Sequence, residues 1–121
     1  MILVYRWQDK EGRGPYRPGM SKYWADADHQ LGNPPFFVEF GMNITKQCLA
    51  SEAMGCAFRT IEQMRLWFTS EERQRMRLLG YEFGSMLVDR IVAESDRQLV
   101  FARSTPLHRD FTPVEDGEVL S

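Results

Sequence analysis

The sequence predicts a single α+β domain, in which a small, mostly antiparallel sheet packs against one or two amphipathic helices. Three observations predict this class: Ile2–Trp7 alternates like a strand, Thr60–Leu79 carries helix caps and helically spaced apolar residues, and Met86–Arg103 has the pattern of a β-hairpin. A chain of 121 residues, 43% of them hydrophobic, is long enough for one domain with its own core. We expect that domain to span residues 1–109 and the acidic segment 110–121 to form a loosely ordered tail.

The N-terminal half contains one clear strand and one long loop. Ile2–Trp7 is rich in β-branched and aromatic residues, which favour a strand, and the Gly- and Pro-rich segment 12–15 ends it in a turn. Residues 16–35 show no period and predict a loop with one helical turn near Tyr23–Asp28. Phe36–Phe40 is short and apolar, which favours a brief strand. Loops of this length in compact domains are often functional.

Two helix starts follow in the second half. Thr60 with Gln63 three residues later, and Thr69 with Glu72, are both typical of a capping box at the N-terminus of a helix. Apolar residues recur at helical spacing after each threonine. Gly80 is a natural stop. The pattern therefore predicts two short helices or one helix bent at Thr69.

The C-terminal part predicts an antiparallel hairpin. Met86–Val92 is strand-like, Glu94–Asp96 has turn chemistry, and Gln98–Arg103 is a second strand. Thr105–Pro106 ends the second strand, because proline cannot donate to a ladder.

Composition and charge narrow the classes of function. With 15 Lys+Arg against 17 Asp+Glu, the net charge of -2 gives no long-range attraction to nucleic acid, so the composition argues against a nucleic-acid partner. No stretch approaches the length of a membrane span, and the start lacks the basic region of a signal peptide. We therefore expect a cytoplasmic protein without a membrane segment, with Cys48 and Cys56 reduced. The oligomeric state stays open.

Motifs of known catalytic chemistry are absent from the sequence. There is no GxSxG, HExxH, GxxxxGK[ST] or CxxC pattern, so the sequence favours a protein without catalytic activity. The segment 12–15 is a weak phosphate loop, because Pro15 lacks the N–H that such a loop uses, and a plain turn is favoured. Asp26, Asp28 and His29 have metal-binding side chains, but we favour solvated loop residues and predict no metal site.

Arg6 is a charged residue on the strand face that also carries Ile2 and Val4. A buried charge without a partner is costly. The favoured interpretation is a structural salt bridge to Asp89 or Glu82. The alternative is that Arg6 lines a cleft and binds an anionic ligand.

Aromatic residues in the long loop are candidates for an interaction surface, because they add contact area at little entropic cost. The residues that we predict to bind a partner are Tyr16, Arg17, Tyr23, Trp24 and Phe37.

Four segments, Val4–Arg6, Gly12–Tyr16, Phe58–Phe68 and Gln98–Phe101, together resemble a group of short uncharacterised proteins of phages and prophages. This resemblance implies an accessory protein of the host-cell cytoplasm that binds and modulates or inhibits a host protein complex, for example a defence system such as CRISPR-Cas. It implies neither catalysis nor a cofactor.

A more distant resemblance is to the ADP-ribosyltransferase fold. There, a Tyr-Arg pair on the first strand grips the cofactor, a Ser or Thr follows, and a late strand begins near a catalytic Glu. Arg6, Thr60 and Gln98 would take these places, which implies NAD as cofactor and a host protein as substrate. Gln98 departs from the pattern, because a neutral amide cannot stabilise positive charge on a ribose as a carboxylate does.

Overall fold

The computed structural model describes residues 1–16, 19–29, 40–41 and 54–116, and it confirms the α+β class. Its helices and strands are, in chain order, β1 (Ile2–Gln8), α1 (Ser21–Trp24), β2 (Met54–Ala57), α2 (Ile61–Trp67), α3 (Ser70–Leu78), β3 (Glu82–Val88), β4 (Arg90–Glu94), β5 (Leu99–Ala102) and β6 (Thr112–Pro113).

The described strands form two antiparallel sheets of three strands each, where the sequence predicted one small sheet. The first sheet has the order β1-β3-β6 and the second has the order β2-β5-β4. The predicted hairpin is present as β4 and β5. Tyr5 of β1 also exchanges backbone hydrogen bonds with Phe58, directly after β2, so the two sheets are linked at this point.

The chain passes from the first sheet to the second at Asp89. The predicted continuous strand Met86–Val92 is wrong here, because β3 ends at Val88 and β4 begins one residue after Asp89. The Asp89 carboxylate accepts a hydrogen bond from the backbone N–H of Ser104 at 2.8 Å. The residues before Asp89 pair with β1 and those after it pair with β5, so the two halves of the predicted strand belong to different sheets.

The first sheet separates two hydrophobic cores, because alternate residues of a strand point to opposite faces. Trp7 and Phe83 face the helices and pack with their aromatic residues, whereas Val4 and Met86 face the second sheet and pack with Phe101. Arg6 and Gln8 lie on the same face of β1 as Val4, so they point between the two sheets.

The helix caps follow the sequence prediction closely. Thr69 forms the complete capping box with Glu72. Thr60 accepts from the N–H of Gln63 at 3.1 Å, but the Gln63 side chain accepts from the N–H of Arg59. Phe68 is extended, so α2 and α3 are two separate helices. Among the described residues, no helix is long and apolar enough to cross a membrane.

Three other predicted segments differ from the structure. The helical turn expected near Tyr23–Asp28 lies slightly earlier, at α1. Phe40 is helical, and the rest of the predicted strand Phe36–Phe40 lies outside the described residues. Residues 110–116 are anchored: β6 pairs with β3, and Asp116 is 3% exposed. Residues 117–121 of the predicted tail lie outside the described part.

Candidate functional site

A cavity of about 930 Å³ opens beside β1, and we call it the Arg6 cavity. It lies between the turn that follows β1 and the segment that follows β5. Its volume and mixed lining are typical of a small-molecule site, where an apolar wall carries a few polar groups. Its lining includes three side chains with polar groups, Arg6, Tyr16 and Gln98, and three aromatic ones, Phe58, Trp67 and Phe68.

The side chain of Arg6 is 5% exposed, and its guanidinium makes few hydrogen bonds with the described residues. Its Nη2 donates a long hydrogen bond of 3.4 Å to the carbonyl of Gly12, and its guanidinium lies 5.5 Å from the ring centre of Phe101. In the described part of the chain, Nε and Nη1 have no hydrogen-bond partner. Arg6 therefore lines the cavity with a guanidinium whose hydrogen-bonding capacity is largely unused among the described residues.

The other buried arginines of the described residues are well satisfied. Arg73 donates to the Asp116 carboxylate at 3.1 Å and to the carbonyl of Phe68 at 2.7 Å. Arg103 donates to four backbone carbonyls, including that of Leu87 at 2.8 Å. Buried polar groups are normally paired, and among these three buried arginines only Arg6 has nitrogens without a partner in the described chain.

The predicted salt bridge from Arg6 to Asp89 or Glu82 is wrong. Asp89 accepts from the N–H of Ser104, and Glu82 is exposed on β3 opposite Gln8. No ion pair to Arg6 occurs among the described residues. Asp89 is drawn away because the chain changes sheets there, and Glu82 is exposed at the far end of β3.

Arg6 keeps its charge at neutral pH despite its burial. Burial lowers the pKa of Arg6 to about 10 from the ordinary 12.5, while the nearby Cys56 and Asp9 oppose that change. The Asp9 carboxylate itself is bound by Arg13 at 2.9 Å. A buried guanidinium with free N–H groups is suited to carboxylates and phosphates, which it can bind with two parallel hydrogen bonds.

A chain of hydrogen bonds runs from the cavity wall into the core. The Tyr16 hydroxyl lies 2.5 Å from Nε2 of His29 and 2.7 Å from Nε1 of Trp67. On the other side of the imidazole, Nδ1 of His29 lies 2.7 Å from the Glu72 carboxylate. We call Tyr16, His29 and Glu72 the tyrosine relay.

The chemistry of the groups fixes the direction of two of these hydrogen bonds, the one from His29 to Glu72 and the one from Trp67 to Tyr16. Burial opposes ionisation of Glu72, but hydrogen bonds from His29, Thr69 and Asp26 outweigh it and lower the pKa of Glu72. The ionised carboxylate therefore accepts a hydrogen bond from Nδ1–H of His29. Indole N–H can only donate, so the Tyr16 hydroxyl accepts from Trp67, and it shares its other hydrogen bond with Nε2 of His29. Burial raises the pKa of Tyr16, which keeps the hydroxyl protonated.

The structure brings together two of the three residues that the distant resemblance assigned to a cofactor. Arg6 and Gln98 line the same cavity. Thr60 caps α2 through the N–H of Gln63 and does not line the cavity.

The residues predicted to bind a partner are scattered. Tyr16 is 46% exposed at the cavity and Tyr23 is 56% exposed on α1. Trp24 is fully buried, with its indole N–H bound to the carbonyl of Pro15 at 2.9 Å, so the structure places it in the core. Arg17 and Phe37 lie outside the described residues.

Sequence reasoning missed the roles of His29 and Glu72. His29 was expected to be solvated, but it is 7% exposed and stacks among aromatic rings such as Phe68. Glu72 was recognised only as a capping residue, which it also is. The two are far apart in sequence, and no local pattern marks their contact. Among the described residues, no cluster of three or more metal-binding side chains occurs.

Comparison with known proteins identifies a phage family. A family model described as "Bacteriophage T4 Y00F protein" matches residues 1–114. We found no match among the curated proteins or among the solved structures. The match supports the phage-type resemblance and gives no support to an ADP-ribosyltransferase-like fold.

Proposed function

This chain belongs to the bacteriophage T4 Y00F protein family, and we propose that it is an accessory protein that binds a host protein through an anionic group held in the Arg6 cavity. The partner belongs to a host protein complex, and a defence system such as CRISPR-Cas is one example of that class. Binding of this kind changes the activity of the partner by occupying its surface.

The observation that carries the proposal is the state of Arg6. It is buried and charged, and two of its guanidinium nitrogens lack a partner in the described chain. Leaving a buried donor unpaired costs about 1–3 kcal/mol, and more when the group is charged. A bound carboxylate or phosphate removes that cost, so the energy lost in folding is recovered on binding.

The surroundings of Arg6 support a partner with an apolar part. Phe58, Trp67 and Phe68 present aromatic carbon to the same cavity. An acidic group next to an apolar or aromatic group of the partner would match both halves of the lining. The rim residues Ser104 and His108 are exposed and would lie next to the rest of the bound partner.

Site-specific photo-crosslinking in host cells tests the proposal. A photoreactive phenylalanine analogue at residue 104 or 108 should crosslink the same host protein, and Arg6→Gln should remove that product. The matched control places the analogue at Leu78, which is 88% exposed on α3 and does not line the cavity. Equal crosslinking from Leu78, or a product that persists in the Arg6 variant, would contradict the proposal.

Binding of NAD is a second candidate, and the shared position of Arg6 and Gln98 in one cavity favours it. It ranks second because Thr60 does not lie there. Calorimetry with NAD and with the Arg6→Gln variant tests it: heat of binding that depends on Arg6 supports this candidate, and no heat at millimolar NAD rejects it.

A further inference from the structure

We infer that Tyr16 is a nucleophile that takes a phosphoryl group from a phosphate ester held by Arg6, with His29 as its general base and Glu72 positioning His29. The inference rests on the anionic ligand of the proposed function. It goes beyond that function by naming the class of ligand and adding a reaction.

The tyrosine relay has the arrangement that activates hydroxyl nucleophiles. A weakly acidic hydroxyl becomes a nucleophile when a base accepts its proton and a third group orients the base. The Tyr16 hydroxyl lies 2.5 Å from Nε2 of His29, which as a neutral imidazole nitrogen would accept the phenol proton, and Nδ1 of His29 is held by Glu72 at 2.7 Å. The Glu72 carboxylate is itself fixed by the backbone N–H groups of Thr69 and Asp26 at 2.8 and 2.9 Å.

Burial makes this relay rigid. The side chains of His29 and Glu72 are 4% and 1% exposed, so water does not compete for their contact. The imidazole ring stacks on Phe68 and meets Trp24 edge-on, and these contacts favour the orientation that it has. An ion pair of imidazolium and carboxylate is therefore ready to form when Tyr16 loses its proton.

Tyr16 also stands where a reaction could occur. It lines the same cavity as Arg6, and 46% of its surface is exposed. The indole N–H of Trp67 points at the phenol oxygen at 2.7 Å and would stabilise a phenolate, in the manner of an oxyanion hole with one donor. Arg6 would hold the non-bridging oxygens of a phosphate and neutralise the charge that builds up on them.

The reaction balances as follows. Nε2 of His29 takes the phenol proton while the Tyr16 oxygen attacks phosphorus and the bond from phosphorus to the leaving oxygen breaks. The imidazolium then gives its proton to the leaving alkoxide. The products are phosphotyrosine at residue 16 and the free alcohol, and no metal, oxidant or further co-reactant takes part in this step.

The probe 4-nitrophenyl phosphate tests the inference, because it joins a phosphate to an aromatic ring and releases a coloured leaving group. The full chain should release close to one equivalent of nitrophenolate, and mass spectrometry should find the phosphoryl group on Tyr16. Tyr23 is an internal control: it is 56% exposed, lies against Lys22, and has no base bonded to its hydroxyl in the described part of the chain, so it should stay unmodified. Labelling of Tyr23 to the same extent, or no labelling of Tyr16, would overturn the inference.

Variants of the tyrosine relay and of Tyr23 test which side chains the release of nitrophenolate requires. Tyr16→Phe should abolish the release, whereas Tyr23→Phe should leave it unchanged. His29→Gln and Glu72→Gln should slow it by about 100-fold or more, as expected for loss of general-base catalysis. The site of labelling in the unmodified chain tests the inference even if these variants fail to fold.

Phenylphosphonate should bind like the ester but cannot transfer its phosphoryl group. Calorimetry with it distinguishes a failure of phosphoryl transfer to Tyr16 from a failure of anion binding by Arg6. Binding that needs Arg6 without any labelling of Tyr16 would reject the relay and keep the anion site. Absence of phosphonate binding would reject this inference but not a carboxylate partner, which the crosslinking experiment detects separately.

Discussion

The guanidinium of Arg6 fills the space that a side chain at residue 55 would need. A Cβ built on Gly55 collides with Nη1 of Arg6 and lies 3.0 Å from Cζ of Phe101. Gly55 on β2 and Arg6 on β1 are thus matched across the gap between the two sheets. Both line the Arg6 cavity, so the absence of a side chain at residue 55 sets the position of the guanidinium.

Gly55→Ala should therefore destabilise the protein by about 1–3 kcal/mol, the usual cost of overpacking. In the Arg6→Ala background the same change should cost much less, because the colliding group is gone. Urea denaturation of the four proteins gives the coupling energy. Equal costs in both backgrounds would show that Arg6 does not occupy this space.

Arg6→Met should leave the stability of the protein without ligand unchanged or raise it by about 1 kcal/mol or more. Replacing a buried charge that lacks a partner with an apolar side chain of similar length removes an energetic penalty. Arg73→Met is the matched comparison and should be destabilising by several kcal/mol, because it leaves the buried Asp116 carboxylate with one partner fewer. Denaturant midpoints of the two variants decide the question, and an equal loss would mean that Arg6 is structural.

Protonation of Glu72 should contribute to the loss of folding stability in acid. Its folded-state pKa lies below the ordinary 4.5, so its contribution is complete above pH 4.5 and is lost as the pH falls through the lower folded value. The difference in unfolding free energy between the wild type and Glu72→Gln should be constant near neutrality and shrink below pH 4.5. A difference that grows in acid would contradict the assigned ionised state.

The two helix caps should differ in strength. Thr69→Ala removes a complete capping box and a hydrogen bond from the threonine hydroxyl to the Asp26 carboxylate at 2.8 Å. We expect a loss of about 1–2 kcal/mol for Thr69→Ala and about 0.5–1 kcal/mol for Thr60→Ala. Thermal or urea denaturation measures both, and Thr60→Ala should leave ligand binding unchanged because Thr60 is outside the cavity.

The neighbours Tyr23 and Trp24 should respond very differently to truncation. Trp24→Ala should cost about 3–5 kcal/mol, because it empties a fully buried site and frees the carbonyl of Pro15. Tyr23→Ala, at an exposed site, should change stability by about 0.5 kcal/mol or less. Circular dichroism during denaturation checks both, and comparable losses would contradict the burial of Trp24.

Local signals account for what could be predicted from the sequence. The alternation of side chains along Ile2–Trp7 predicted β1. The two capping threonines, with Gln63 and Glu72, predicted the starts of α2 and α3. These features depend on residues within one turn or one strand of each other. The break at Asp89 escaped prediction because the partner of its carboxylate, the N–H of Ser104, comes from another strand end.

The candidate site was predictable only in part for the same reason. Arg6 stood out because it is a charge on a strand face that should be buried. Its lack of a partner depends on the packing of Gly55 and Phe101 from the other sheet, which periodicity does not reveal. The contact between His29 and Glu72 likewise joins a loop to a helix over a long sequence separation.

The pairing of β1 with β3 has a consequence for how the protein is made. Ile2 lies opposite Val88 and Gln8 opposite Glu82, so β1 pairs with a strand that is synthesised much later. Closing so long a loop is entropically costly, and pairing of this kind slows folding. Until β3 emerges, β1 is an apolar strand with no neighbour in its sheet, open to association with other nascent chains. The domain is therefore expected to fold after most of its translation is complete.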